Sequence, residues 1–594
     1  MKILFITSAH NSLSQRLLIE LTKRGHVVPV CVATSDNAMR KAVAEHAPEL
    51  IVAPMLKIAV PKDIWSKHTC LIVHPGIKGD RGPSSLDWAI ATGEPYWGVT
   101  VLEAAEEMDA GPIWASHTFP MPKGGVAKST LYRNEVTEAA VCGVLEAVAK
   151  FASKDFVPEP LNYSHPDVRG RLRPMMRQTD RMIDWCCDST ETVMRKIRAA
   201  DSAPGVLDTL FDANYFLYGA HEEERLSGAP GEILAQRHGA ICRGTYDGAV
   251  WITHLKAKAH GPYAGLKLPA AKVLGDHVKN VPESTVSIVP PAEQATFREI
   301  YYTEQNQVGY LYFDFYNGAM DTDQCYRLRD AYLFARSRPT QIIVLMGGRD
   351  FWSNGIHLNV IEAADDPAAE SWRNINAMDD VIYEILNTLS HVVIAALRGN
   401  AGAGGAMLAL AADYVWAREG VVLNPHYKGM GGLYGSEYWT YSLPKRVGWH
   451  RAIELTEACL PMGTKTAKEM GFIDAVTDGN VEEFERAVRN RAGAIAGKQW
   501  DLLRDKHRQR LVDERRKPLA VYRAEELTKM RVNFYGDDPA YHQARRRFVY
   551  KGAMPPKAVI KPVTLSFPDY RMSASGTKGA PHAQGQTYLG STTA

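Results

Sequence analysis

The stretch Val392-Val393-Ile394-Ala395-Ala396-Leu397-Arg398-Gly399-Asn400-Ala401-Gly402-Ala403-Gly404-Gly405-Ala406-Met407 decides how the chain is read. Its apolar, β-branched entry predicts a buried strand. Its exit, rich in Met, Leu and Ala up to Asp413, predicts a helix. Glycines at such a junction let backbone N–H groups at a helix start come close to a ligand. Upstream, a second strand, Ile342–Met346, runs into Gly347-Gly348-Arg349-Asp350-Phe351-Trp352-Ser353-Asn354-Gly355-Ile356-His357-Leu358. Taken alone, either turn reads as tight strand-to-helix packing, since a glycine cluster is a weak signal. Taken together, two such turns can aim two N–H groups at one carbonyl oxygen, forming an oxyanion hole.

The pair of turns resembles the crotonase (enoyl-CoA hydratase/isomerase) family. The first fits Phe-x-Ala-Gly-x-Asp, with Asn354 for Ala and His357 for Asp. The second fits Gly-x-x-x-Gly-Gly-Gly, with Ala403 for the first glycine of the triplet. The resemblance implies oxyanion N–H groups on Ile356 and Gly404, and coenzyme A against Ser353, Asn354 and Gly355. Both hydratase carboxylates are missing: one position holds Met407, and Pro425 is followed by His426 rather than Glu. Thioester binding is therefore expected and hydration of a double bond is not. Val308–Phe315 is expected as the first strand of this part, with helices at Cys325–Arg336 and Ser371–Leu389. Leu443-Pro444-Lys445-Arg446-Val447-Gly448 matches the family's Leu-Pro-Arg-x-x-Gly. Before it, aromatic residues surround one carboxylate, Glu437. Such a group is partly desolvated and becomes a proton carrier; as a helix-start residue after Ser436 it reads equally as a cap. Tyr427, two residues past Pro425, is a partner for Glu437 or for a thioester sulfur.

Outward toward the N-terminus, strands at Ile3–Thr7, Val27–Ala33, Glu49–Ala53 and Cys70–Val73 alternate with a helix at Ser12–Arg24. This alternation predicts a parallel, doubly wound sheet, with ligands beyond the carboxyl ends of its strands. There stands His74-Pro75-Gly76-Ile77-Lys78-Gly79-Asp80-Arg81-Gly82-Pro83, followed by Gly98-Val99-Thr100 and Asp109-Ala110-Gly111-Pro112. A lone His at a strand end reads as structural. The order and spacing resemble the 10-formyltetrahydrofolate-dependent formyltransferases, which implies His74 and Asp109 as the catalytic pair. Imidazole takes a nucleophile's proton near neutral pH, and a carboxylate orients it. The family's Asn two residues before the His is Ile72 here. The resemblance lays the folate along Met55-Leu56-Lys57-Ile58, mainly through backbone contacts. Lys57, Lys78 and Arg81 are candidates for its anionic tail.

From Asp180 to about Gly275 the composition shifts toward short β-rich runs, Ala240–Thr245 and Ala249–Leu255. This resembles the OB-like C-terminal domain of methionyl-tRNA formyltransferases. No basic groove interleaved with aromatics accompanies it, so no nucleic-acid partner is expected. The fold class expected is multidomain α/β: a doubly wound formyltransferase fold (1–175), an OB-like β domain (176–275), a linker (276–299), a crotonase ββα superhelix (300–550) and an irregular tail (551–594) whose last ~20 residues are disordered. Trp500–Lys517 is expected as a solvated helix.

A formyltransferase followed by a crotonase on one chain resembles the HypX/HoxX-type hydrogenase maturation proteins. In that family formyl passes from 10-formyltetrahydrofolate to coenzyme A, and formyl-CoA is split to carbon monoxide and CoA for the NiFe-hydrogenase site. Small-molecule substrates are then the main partners, with the hydrogenase large subunit or its maturation proteins beside them. The alternative is a formyltransferase for an amine acceptor, with the crotonase part regulatory or a scaffold. A third reading is a CoA- or folate-binding assembly factor.

Bulk properties are compatible with this. A length of 594 residues allows three to five domains, and 45% hydrophobic with 23% charged residues is ordinary for a globular protein. A net charge of +2 calls for no polyanion. Eight scattered cysteines without metal-ligand spacing point to a reducing, cytoplasmic compartment. The vicinal Cys186-Cys187 reads as two buried or half-buried thiols. No stretch approaches the ~18 apolar residues of a membrane span.

Overall fold

The run Ile3–Thr7 forms a strand buried at every position, as a β-run without polar alternation must be. It belongs to a computed structural model that describes residues 1–258, 263–291 and 294–551. The expected C-terminal tail lies outside the described residues beyond Lys551.

Six strands make the N-terminal sheet, in the order Val30–Val32, Ile3–Thr7, Leu50–Ala53, Cys70–His74, Tyr96–Glu103, Ile113–Pro120. The first four are parallel, as expected. The last two are antiparallel, so the sheet is mixed rather than parallel throughout, while helices cover both of its faces as expected. The helix between His74 and Tyr96 is only Ser85–Ala91, seven residues. It spans about 10 Å, against about 26 Å for the strand that follows, too little to carry the chain back for a parallel return.

The second region is antiparallel, in the order Val206–Leu210, Ala213–Glu223, Ala249–Ala257, Ala240–Gly244, Ile233–Arg237. Helix Thr190–Ala200 supplies Val193, Met194 and Ile197 to its core. Its two end strands do not pair with each other among the described residues. The edge at Ile233–Arg237 is covered instead by the expected linker: Gln236 N–H donates to Pro282 O, and Ser284 N–H to Gln236 O. The Arg237 guanidinium also bonds Ser284, Thr296 and Phe297. This part of the linker is a strap.

The third region holds two sheets. One runs Ile300–Gln305, Val308–Phe313, Ile342–Leu345, Val392–Leu397, Tyr414–Arg418, Ala475–Thr477; the other runs Phe351–Ser353, Asn400–Gly402, Val422–Asn424, Met462–Gly463. Val308–Phe313 is therefore not the first strand. Ile300–Gln305 precedes it through a tight hairpin whose Asn306 and Gln307 both have positive φ, 53° and 63°. Helices Thr322–Ser337 and Pro367–Leu386 pack together over the larger sheet. Helix Leu519–Tyr535 in turn packs on Pro367–Leu386. Gln499–Arg516 buries only Gln499 and Leu503, consistent with a solvated helix. Cys186 and Cys187 are both exposed free thiols, not buried ones.

The N-terminal region docks on the third around the Asp350 carboxylate, with the ion pairs Arg349–Glu135 and Arg418–Glu138 beside it. Thr130 Oγ1 and Arg133 each reach Asp350 Oδ2 at 2.8 Å, and Asn134 Nδ2 donates to Asp350 Oδ1 at 3.1 Å. Asp350 opens the turn that carries Ser353 to Ile356.

Candidate active sites

His74 ends a central strand and is 5% exposed. Its Nδ1 lies 3.6 Å from Asp109 Oδ2, so the structure brings the two sequence candidates together. Asp109 sits at φ 54° in its turn, and Gly82 N–H donates to its carboxylate at 3.2 Å. The other ring nitrogen, Nε2, lies 3.0 Å from Asp80 Oδ2. Asp80, missed by sequence reasoning, is wholly buried beside Arg173, whose Nε is 3.5 Å from its second oxygen. A methyl group on Gly76 would strike both the His74 ring and Asp80, which explains the glycine there.

Three folate candidates change role. Arg81 Nε donates to Met108 O at 3.1 Å and its NH2 to Glu107 at 2.6 Å, so it pins the loop bearing Asp109 instead of facing outward. The Met55 carbonyl accepts both Ser8 N–H and the Thr7 hydroxyl, and Lys57 N–H donates to Ser8 Oγ. Those backbone groups are committed to the scaffold. Leu56 and Ile58 present side chains instead: they line a cavity of about 260 Å³ with Ile72, Leu102 and Asp109. Ile72 at the usual Asn position makes that wall apolar.

In the third region, Gly404 opens helix Gly404–Ala409, where the first N–H has no intrahelical acceptor. Ala403 before it has φ 48°. The preceding turn lies alongside: a methyl group on Gly355 would sit 3.2 Å from Gly404 N. Met320 N–H bonds Gly355 O and His357 N–H bonds Asn374 Oδ1, which leaves Ile356 N–H between them. His357 Nδ1 accepts Val360 N–H at 3.3 Å and so caps the short helix Leu358–Glu362. Ser353 is fully buried, and its Oγ accepts Gly355 N–H at 3.1 Å. It shapes the turn and is too enclosed to touch coenzyme A, a correction to its expected role. Asn354 Nδ2 donates to Asn317 O at 2.7 Å, likewise holding the turn.

Glu437 is 4% exposed and stands over the helix start. A methyl group on Gly404 would collide with its carboxylate. The capping reading gives way: the next helix is Trp439–Val447, with no side-chain cap, and Glu437 Oε2 accepts the N–H of Ser436, outside that helix. Burial first, and then the nearby Asp379 charge, raise Glu437 to about 8. Tyr427 packs its ring against Gly435, two residues before Glu437. Its buried Oη faces Thr456, and no hydrogen bond ties it to Glu437 among the described residues. Met407, at the first hydratase carboxylate position, is fully buried.

Where the three regions meet, a cavity of about 280 Å³ is lined by Arg133, Arg198, Arg349, Tyr316, Asn317 and Asp350, among others. Among the described residues no cluster of side chains could hold a metal ion, and no helix is long and apolar enough to cross a membrane.

Comparison with known proteins agrees with this layout. Residues 32–147 match the formyl transferase family model, 175–267 the formyl transferase C-terminal domain, and 319–539 enoyl-CoA hydratase/isomerase. The chain is 30% identical to methionyl-tRNA formyltransferase of Thermotoga neapolitana, over 35% of this chain and 64% of that protein. It is 48% identical to the hydrogenase maturation factor HoxX of Bradyrhizobium diazoefficiens, over 93% of this chain and 95% of that one. The structure of HypX from Aquifex aeolicus in complex with tetrahydrofolic acid superposes with a TM-score of 0.89 at 47% identity, covering 93% of this chain and 96% of that one. Fold and sites thus define a formyltransferase joined to a crotonase-like domain. Within that class, the chain belongs to the HypX/HoxX family of hydrogenase maturation factors.

Proposed function

We propose that this protein makes carbon monoxide for a NiFe-hydrogenase from 10-formyltetrahydrofolate, with coenzyme A as carrier. The observation that carries the reading is the buried Glu437 carboxylate over the helix start at Gly404, where both hydratase carboxylates are absent.

In the first step the CoA thiol attacks the formyl carbon of the folate. His74, oriented by Asp80 through its Nε2–H, takes the thiol proton on Nδ1, where Asp109 at 3.6 Å supports the new positive charge, and the C–N bond breaks with the proton passing to the departing folate nitrogen. The cavity lined by Leu56, Ile58 and Ile72 suits the pterin, and the tetrahydrofolic acid bound to the Aquifex relative supports a folate here. The arginine-lined cavity at the junction suits the phosphates of coenzyme A.

In the second step the N–H groups of Ile356 and Gly404 polarise the thioester carbonyl. Glu437 accepts the formyl proton, the C–S bond breaks with its electron pair leaving on sulfur, and the proton returns to that sulfur. The products are carbon monoxide and CoA, with no atom left over. Desolvated to about 8, Glu437 exchanges a proton near neutral pH. Delivery would be to the hydrogenase large subunit or its maturation proteins, in the cytoplasm.

The test is incubation with formyl-labelled folate and CoA, with carbon monoxide trapped by a haem protein. Label in carbon monoxide that depends on CoA supports the reading. A formylated amine without carbon monoxide, or binding without turnover, contradicts it.

A further inference from the structure

Four polar side chains form a closed chain behind Glu437. Asp379, from helix Pro367–Leu386, is fully buried and accepts Glu437 N–H at 2.8 Å on Oδ1. Ser436 Oγ lies 3.0 and 2.8 Å from the two Asp379 oxygens, and 3.4 Å from Glu526 Oε2. The other Glu526 oxygen accepts Thr440 N–H at 2.8 Å and also the Thr440 hydroxyl. Glu526 is also fully buried and comes from helix Leu519–Tyr535.

The donors in this chain can be counted. Ser436 has one hydroxyl proton but faces two carboxyl groups. If it donates to Asp379, the remaining contact needs a proton on Glu526. The pattern then closes: Thr440 donates to the Glu526 carbonyl oxygen, the Glu526 acid donates to Ser436, Ser436 donates to ionised Asp379, and Asp379 receives Glu437 N–H. Arg523 is the nearest cation, with Nε 3.7 Å from Asp379 Oδ2, and its NH1 is bound to Asp380. The backbone there needs such a hold. Glu437 and Tyr438 are consecutive non-glycine residues at φ 61° and 54°, a conformation that persists only where its surroundings impose it.

We infer that Asp379 is the positioning residue of Glu437, fixing its left-handed backbone over Gly404 and setting its charge environment, with Glu526 serving as a buried neutral acid that keeps Asp379 ionised through Ser436. The inference rests on the proposed role of Glu437 as proton carrier. Glu437 is also faced by Tyr427, by Cys325 from helix Thr322–Ser337, and by Glu526. The directions agree: burial raises Glu526 well above the ordinary range, and raises Asp379 only to about 6.

The experiment measures carbon monoxide release from added formyl-CoA by the full chain across pH 5 to 9. Asp379→Asn removes the like charge beside Glu437, so the ascending limb of the profile should move about one unit toward lower pH. It should lower kcat more than KM. Glu526→Ala should lose at least tenfold in kcat, and Glu526→Gln should recover most of it, since an amide donates to Ser436 as the acid does. An unmoved limb in Asp379→Asn, or no recovery by Glu526→Gln while circular dichroism is unchanged, overturns the inference. If Asp379→Asn does not fold, the Glu526 pair still decides it. A Glu437→Gln variant with full activity would instead overturn the reading beneath it.

Discussion

The Glu437 carboxylate occupies the space that a side chain on Gly404 would fill. The absence of a Cβ at 404 is therefore what lets the carboxylate reach the turn at the helix start. Gly404→Ala should expel Glu437 and reduce carbon monoxide release from formyl-CoA by about 10²-fold or more. Formyl transfer from folate to CoA should continue, so formyl-CoA or its hydrolysis product formate should accumulate. Chromatography of the acyl-CoA pool checks this.

In the proposed scheme His74 serves only the folate step. His74→Ala should cut folate-dependent carbon monoxide by ~10²–10⁴-fold while leaving cleavage of added formyl-CoA at the parent rate. Asp80→Asn should lower the same step by a smaller factor, because Asp109 still holds the opposite nitrogen. Parallel assays with the two substrates separate the steps.

The raised Glu437 fixes a pH dependence in both activity and stability. Its base form appears as pH rises through about 8, so formyl-CoA cleavage should climb over that range. Stability should run the other way. Between the ordinary carboxylate value, about 4.5, and about 8, the folded chain binds a proton that the unfolded chain has released, so stability falls as pH rises. Glu437→Gln should therefore resist urea better than the parent at pH 8, by on the order of 1 kcal/mol or more, and lose that advantage below pH 5. Urea titrations at the two pH values check the sign.

Tyr427 Oη is buried, with Thr456 rather than Glu437 as its side-chain neighbour. Tyr427→Phe should shift the melting temperature by no more than a few degrees, because the loss is at most one weak contact, to Thr456, offset by removal of a desolvated hydroxyl. Any fall in carbon monoxide release then reports a contact made only with the thioester. The loss should be smaller than that of Gly404→Ala.

The sites were legible where backbone chemistry leaves a mark. Gly404 and Ile356 stood out only because two glycine turns together resembled a crotonase, and His74 only because the order of motifs after it resembled a formyltransferase; each signal alone read as structural. Asp109 was visible through its turn before Gly111. Asp80, Asp379 and Glu526 were not read, since each acquires its role from a neighbour distant in sequence or a turn away. A signal did exist for two of them. Asp379 falls among Ile375, Met378 and Ile382, and Glu526 beside Leu527 and Met530, each a carboxylate on the buried stripe of a helix. Within the folate stretch, spacing could not say which backbone groups the scaffold already uses, as at Met55 C=O and Lys57 N–H. The antiparallel return at Tyr96 was hidden because strand direction depends on the reach of the connection, which alternation alone does not encode.

Glu437→Gln assayed with formyl-CoA, which bypasses the folate step, tests the proposed decarbonylation most directly. The amide keeps the shape and can still accept Ser436 N–H, but it cannot take a proton. Carbon monoxide release should fall by about 10²-fold or more with CoA binding intact. Release at the parent rate would make the carboxylate structural and contradict the proposed decarbonylation.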